Sequence, residues 1–66
     1  MNLIVNGEPR DAPPEATVLA LLESLGCPPG RVAVEVNGEI LKRAEFGRAR
    51  LRDGDRIEVV QFVGGG

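Results

Sequence analysis

The stretch RIEVVQF, residues 56–62, decides the fold because it is an apolar strand-forming segment close to the end of the chain. Ile57 and Val59 alternate with Glu58 and Val60, which is the period of two that is typical of a β-strand. Since no later segment is available to cover it, we expect this strand to lie in the middle of a sheet, next to the first strand.

Two β-hairpins are predicted by a repeated tetrapeptide, Val-Asn-Gly-Glu, at 5–8 and 36–39. Asn-Gly supplies the two positive-φ residues that a type I′ turn requires. We therefore expect a first hairpin in which the strand at 1–5 pairs with a strand at 8–12, which ends at Pro13-Pro14. The second hairpin is expected to pair a strand at 32–36 with a strand at 39–41.

One helix is predicted in TVLALLESLG, residues 17–26. Thr17 is a suitable N-cap, and Gly26 suits the left-handed position that ends a helix. The apolar residues follow the i, i+3, i+4, i+7 spacing of one buried face. These residues are Val18, Leu21, Leu22 and Leu25.

The remaining segment, 42–52, is charged and irregular, and Phe46 and Leu51 are its expected anchors in the core. The Asp-Gly-Asp sequence at 53–55 predicts a turn before the last strand. The prediction is an α+β fold, ββαββ, in which one helix packs on one face of a mixed sheet. Its domain is 1–63, and 64–66 form a flexible C-terminal glycine tail.

Composition limits the function classes. The chain has 66 residues, 42% of them hydrophobic, and a net charge of −2, so a single globular domain is expected and nucleic-acid binding is not. Charge is uneven, because residues 1–30 carry a net −3 and residues 42–56 a net +3. This asymmetry is compatible with a docking face or with an ordinary solvated surface of mixed sign.

The chain contains no His, Tyr or Trp and one cysteine, Cys27. A metal site, an internal disulfide and catalysis by the protein itself are therefore not expected. Cys27 is interpreted as a small, partly buried core residue, with sulfur transfer as the alternative. No long apolar run or signal sequence is present, and we expect a soluble cytoplasmic protein without membrane association.

The chain resembles the ThiS family of sulfur carriers in thiamin biosynthesis, within the ubiquitin-like β-grasp superfamily. The motifs that carry the resemblance are VAVEVNGEIL, residues 32–41, and especially DGDRIEVVQFVGGG, residues 53–66. The resemblance covers essentially the whole chain. It implies the β-grasp fold and a function that is centred on the last residue, Gly66.

The resemblance also implies partners. A ThiF-type adenylyltransferase, related to ubiquitin-activating enzymes, would consume ATP to adenylate the carboxylate of Gly66, while this chain binds no cofactor. Sulfur from a cysteine desulfurase, or from another persulfide donor, would convert the adenylate into a thiocarboxylate. A ThiG-type thiazole synthase would use that sulfur. Gly64, Gly65 and Gly66 would thread into the partners' active sites.

Alternatives remain open from the sequence. The same carrier chemistry serves molybdopterin synthesis and transfer-RNA thiolation in related families, and a ubiquitin-like modifier would be conjugated to lysines through Gly66. An interaction module with an inert tail is a further alternative. The glycine tail could also be a linker without function, or residues left by an expression vector.

A docking surface is expected beside the tail because ordering three glycines is entropically unfavourable. Ile4, Val60 and Phe62 are the predicted patch, if Ile4 lies on a neighbouring strand and all three point away from the core. A β-bulge that shifts the last strand by one residue would instead turn Val60 and Phe62 into the core. With the outward arrangement, Phe62→Glu is predicted to weaken binding of the adenylyltransferase without unfolding the protein.

Overall fold

The last strand lies at the centre of a five-stranded mixed sheet in the computed structural model, which describes residues 1–62. The elements in chain order are β1 (Asn2–Val5), β2 (Glu8–Asp11), α1 (Val18–Leu25), β3 (Val32–Val36), β4 (Glu39–Leu41) and β5 (Arg56–Gln61), with 3-10 turns at Pro29–Arg31 and Arg43–Glu45. Across the sheet the order is β2-β1-β5-β3-β4. The sheet thus has five strands, whereas the predicted element order ββαββ contains four.

Strand β5 lies between two hairpins, which do not pair directly with each other in the described sheet. It runs parallel to β1 and antiparallel to β3. The hairpins are β1–β2 and β3–β4, each antiparallel. The prediction that the last strand is central and adjacent to the first is confirmed.

Both hairpins turn at Asn-Gly, as the repeated tetrapeptide predicts. Asn6 and Gly7 have φ of 50° and 81°, and Asn37 and Gly38 have φ of 52° and 86°. These values are those of a type I′ turn, whose twist matches that of the flanking strands. Asparagine tolerates the left-handed region better than other residues with a side chain, and glycine adopts it without strain.

The helix begins and ends at the predicted residues. Thr17 Oγ1 accepts a hydrogen bond from the Ala20 N–H at 3.1 Å, and Gly26 has a φ of 71°. The backbone N–H of Cys27 donates to the Leu22 carbonyl at 2.9 Å, which closes the C-terminal turn. Helix α1 is thereby fixed at both ends.

The core lies between α1 and one face of the sheet, and we call the opposite face of the sheet its outer face. Phe46 and Leu51 are buried, as predicted, and hold the irregular segment against the helix. The Val18 N–H donates to the Ala49 carbonyl at 3.0 Å, so this segment also satisfies the first turn of α1. The buried hydrophobic residues are Leu3, Val5, Val18, Leu21, Leu22, Val32, Val34, Phe46, Leu51 and Ile57.

Candidate protein-docking face

Strand β5 presents alternate side chains to the core and to the outer face. Ile57 is buried and Val59 is half-buried, whereas Val60 is 58% exposed and Phe62 is 56% exposed. The antiparallel ladder with β3 runs in step from Val36↔Ile57 to Val32↔Gln61. Since no residue is inserted in that ladder, the bulge that would turn Val60 and Phe62 into the core is absent from the described strand.

Phe62 is tied to the sheet at the end of the described chain. Its N–H donates to the Arg31 carbonyl at 2.8 Å. The predicted tail residues Gly64, Gly65 and Gly66 lie outside the described residues, as does Val63. Their roles therefore stay predictions.

Ile4 lies apart from the other two residues of the predicted patch. Strands β1 and β5 are neighbours, as the prediction required, but their register places Ile4 opposite Arg56. Val60 lies four residues further along β5, which corresponds to about 13 Å at ~3.3 Å per residue. Ile4 is also half-buried. The structure brings Val60 and Phe62 together on one strand but does not place Ile4 beside them.

Ile40 is a residue of this face that the sequence reasoning missed. It is 80% exposed and stands opposite Glu35 on the outer face, while its neighbour Leu41 stands opposite the buried Val34. The signal was present, because the Asn37-Gly38 turn fixes the register of the hairpin and thereby sends Ile40 to the same face as Glu35.

An apolar strip therefore crosses the outer face. Ala33 is exposed and stands directly opposite Val60, and it lies diagonally next to Ile40. Among the described residues, all the large hydrophobic side chains that are exposed belong to this face. The apolar strip consists of Ala33, Ile40, Val60 and Phe62.

The side chains of the two hairpin asparagines form hydrogen bonds with the backbone of β5. Asn6 Nδ2 donates to the Val59 carbonyl at 3.2 Å, and Asn6 Oδ1 accepts from the Val59 N–H at 2.8 Å. Asn37 Oδ1 accepts from the Arg56 N–H at 3.0 Å, on the other side of the strand. Each asparagine side chain thus adds hydrogen bonds to β5 just beyond the end of its own strand, β1 for Asn6 and β3 for Asn37. The repeated tetrapeptide indicated the turns, but it gave no sign of these bonds.

Cys27 lies on the helix side of the sheet, away from the apolar strip. It is half-buried, and its Sγ is 3.9 Å from the Leu25 carbonyl oxygen. It lines an open groove of about 370 Å³ together with Leu25, Val59 and Gln61. This position fits the interpretation of Cys27 as a partly buried packing residue.

The charged clusters do not form a metal site in the part of the chain that the structure describes. The basic residues of 42–56 are exposed, and one of them, Arg50, forms an ion pair of 3.1 Å with Glu15. Both side chains of this pair are largely solvated, so it contributes little stability. No helix within residues 1–62 is long and apolar enough to cross a membrane.

Comparison with known proteins identifies the family. The family model described as ThiS matches residues 3–66, which is nearly the whole chain. The chain belongs to the ThiS family. This is a family of small sulfur carriers in thiamine biosynthesis, and the resemblance found in the sequence is confirmed.

A solved structure of the ThiS family has the same fold. The crystal structure of the thiamine biosynthesis protein ThiS from Geobacter metallireducens matches with a TM-score of 0.84 at 40% identity, over 100% of both chains. The ubiquitin-like β-grasp prediction is confirmed by this match.

Two curated relatives are much longer than a single ThiS domain. Proteins named thiazole synthase from Paramagnetospirillum magneticum and Magnetococcus marinus are each 44% identical to this chain over all 66 residues. The chain spans 20% of the length of each. In both organisms, a ThiS-like segment is therefore part of a polypeptide that is named thiazole synthase.

Proposed function

We propose that this protein carries sulfur as a thiocarboxylate on Gly66 and delivers it to a thiazole synthase. The observation that carries the proposal is the family match, which extends through the glycine tail to residue 66. The two relatives named thiazole synthase support the choice of client, because they contain a segment of this kind.

The chemistry requires activation, because the ionised terminal carboxylate is a poor electrophile. In the first step a carboxylate oxygen attacks the α-phosphorus of ATP, and pyrophosphate leaves. In the second step the terminal sulfur of a persulfide attacks the carbonyl carbon, and AMP leaves with the oxygen that attacked ATP. A further thiol then cleaves the resulting acyl disulfide at its S–S bond, which releases the thiocarboxylate and a protein disulfide.

All bonds that form or break in the protein are main-chain bonds of its last residue. No side chain of this chain is required as an acid, a base or a nucleophile, so the catalysts are the partner enzymes. Glycine suits this role because a chain end without Cβ atoms passes through a narrow channel. Gly64–Gly66 would extend about 10 Å at ~3.3 Å per residue.

The apolar strip is the proposed docking surface for these partners. Ordering three glycines costs about 3–6 kcal/mol, at ~1–2 kcal/mol per residue. Complete burial of a Val, Ile or Phe side chain stabilises by ~1.5–3 kcal/mol, and covering the fraction that is still exposed on Val60, Phe62 and Ile40 gives about 3–6 kcal/mol in total. Val60 and Phe62 alone would give about 2–3 kcal/mol of this. Ile40 is therefore needed if the strip is to offset the ordering of the tail.

The test is reconstitution with the ThiF-type adenylyltransferase of the same organism. With ATP, the protein should support pyrophosphate exchange, and with a persulfide donor its intact mass should shift by the replacement of one oxygen by sulfur. A matched sample with an amidated C terminus should do neither. Absence of exchange with folded wild-type protein would refute the proposal.

Other clients and the modifier function are separated by a second measurement. Deletion of the gene should create a requirement for the thiazole moiety of thiamin, and not for molybdopterin or a thiolated transfer-RNA base. Slower-migrating conjugates that disappear on deletion of Gly66 would instead support a protein modifier.

A further inference from the structure

Two carboxylates oppose each other on the outer face. Glu35 of β3 and Glu58 of β5 are direct cross-strand partners in the ladder, and both are exposed. Like charges that stand directly opposite in a sheet are destabilising. The isolated protein thus retains an unfavourable pair in the middle of its sheet.

Within residues 1–62 neither carboxylate has a hydrogen-bonding or ion-pairing partner. The ion pair that the described residues contain joins Arg50 and Glu15, elsewhere on the molecule. Arg56 is two residues from Glu58 on the same face and is exposed, but no ion pair forms between them. The negative charge of the pair is therefore directed to solvent.

The acidic pair adjoins the apolar strip on two sides. Ile40 stands beside Glu35 on the neighbouring strand, and Ala33 and Val60 form the next outward-facing pair along the ladder. A protein that covers the apolar strip must therefore also cover, or closely approach, the two carboxylates. Covering them without a cation would be strongly unfavourable, since buried charges require a partner.

We infer that the outer face binds a protein surface that inserts an arginine or lysine side chain between Glu35 and Glu58 while apolar residues cover Ile40 and Val60. A guanidinium satisfies two carboxylates at once, because its five N–H donors lie in a planar fork. A second copy of this chain is the less suitable occupant, because two outer faces related by a two-fold axis through the pair would bring four carboxylates together. The inference rests on the proposed function, in which the adenylyltransferase is the first protein to dock here.

The experiment measures the dissociation constant for the adenylyltransferase at low and high salt, using wild-type protein and the double variant Glu35→Gln/Glu58→Gln. We expect about a tenfold weaker complex at low salt, as for a close interfacial charge pair. We also expect a shallower salt dependence, because fewer charges are neutralised. The variant alone should be at least as stable to urea as the wild type, because the repulsion is removed.

The matched control is Glu8→Gln/Glu23→Gln, which removes the same charge from exposed residues on the helix side. It should bind within about twofold of the wild type, since distant exposed charges are largely screened. Equal weakening in both double variants would show a general charge effect and overturn the inference.

The outcomes also separate this inference from the proposed function. Unchanged affinity and salt dependence in Glu35→Gln/Glu58→Gln would overturn the inference, while a wild-type complex with pyrophosphate exchange would leave the carrier function standing. Absence of any wild-type complex or exchange would refute both. A concentration-dependent dimer of the wild-type protein that the double glutamine variant tightens would assign the face to a second copy and overturn the inference.

Discussion

Replacing Asn6 by glycine tests how the Asn6 side chain holds β5 beside β1. Glycine keeps the positive φ of 50° that the hairpin turn uses at this position, so the turn itself should survive. The substitution removes the two hydrogen bonds between the Asn6 side chain and the Val59 backbone. The variant therefore tests the two side-chain bonds to β5 separately from the hairpin turn.

The size of the effect follows from those two bonds. Each neutral hydrogen bond contributes ~0.5–1.5 kcal/mol net, and both of these are exposed, so the lower part of that range applies. We expect the free energy of unfolding to fall by about 1–2 kcal/mol. For a domain of this size that lowers the melting temperature by roughly 5–15 °C.

Urea unfolding gives the free energy, and amide hydrogen exchange shows where protection is lost. Exchange at the Val59 N–H should accelerate in Asn6→Gly. The matched variant Asn37→Gly removes the bond from the Arg56 N–H to Asn37 Oδ1, so it should accelerate exchange at Arg56 instead. If Asn6→Gly left stability unchanged within about 0.3 kcal/mol, or left Val59 protected, the reasoning on the two side-chain bonds would be refuted.

Three further predictions concern the docking face, the core and the cysteine. Phe62→Ser and Ile40→Ser should each weaken the complex with the adenylyltransferase by about 5- to 10-fold in titration calorimetry, because each removes ~1 kcal/mol or more of apolar burial. Equal weakening by Ile4→Ser would contradict the assignment of the docking face. Ile57→Ala should lower the free energy of unfolding by about 2–5 kcal/mol in urea, since Ile57 is fully buried; a loss below that range would show that the core relaxes around the cavity. Cys27→Ser should still acquire the mass shift of a thiocarboxylate in the reconstituted reaction, and complete loss of the shift in folded protein would give Cys27 a chemical role.

The fold could be predicted from the sequence because its signals are local. The Asn-Gly turns fix both hairpin registers, and the cap at Thr17 with the stop at Gly26 fixes the helix. The alternation in β5 likewise indicated that Val60 and Phe62 face outward. Each of these features is determined by residues that are close in sequence.

The arrangement of the docking face depended on contacts between distant segments. The parallel register of β1 and β5 joins residues more than 50 positions apart, and no turn fixes it. Consequently the sequence showed that Ile4 faces outward but not that it lies beside Arg56. The opposition of Glu35 and Glu58 depends in the same way on the ladder between β3 and β5, which no turn joins directly.

The central position of β5 makes completion of the sheet depend on the last strand along the chain that the structure describes. Until residues 56–61 are inserted, the two hairpins share no backbone ladder, so a chain interrupted before that point lacks a continuous sheet. The strand that completes the sheet is also the one that leads towards Gly66. Under the proposed function, enzymes that dock on the outer face would therefore discriminate against truncated or misfolded molecules before any ATP is spent.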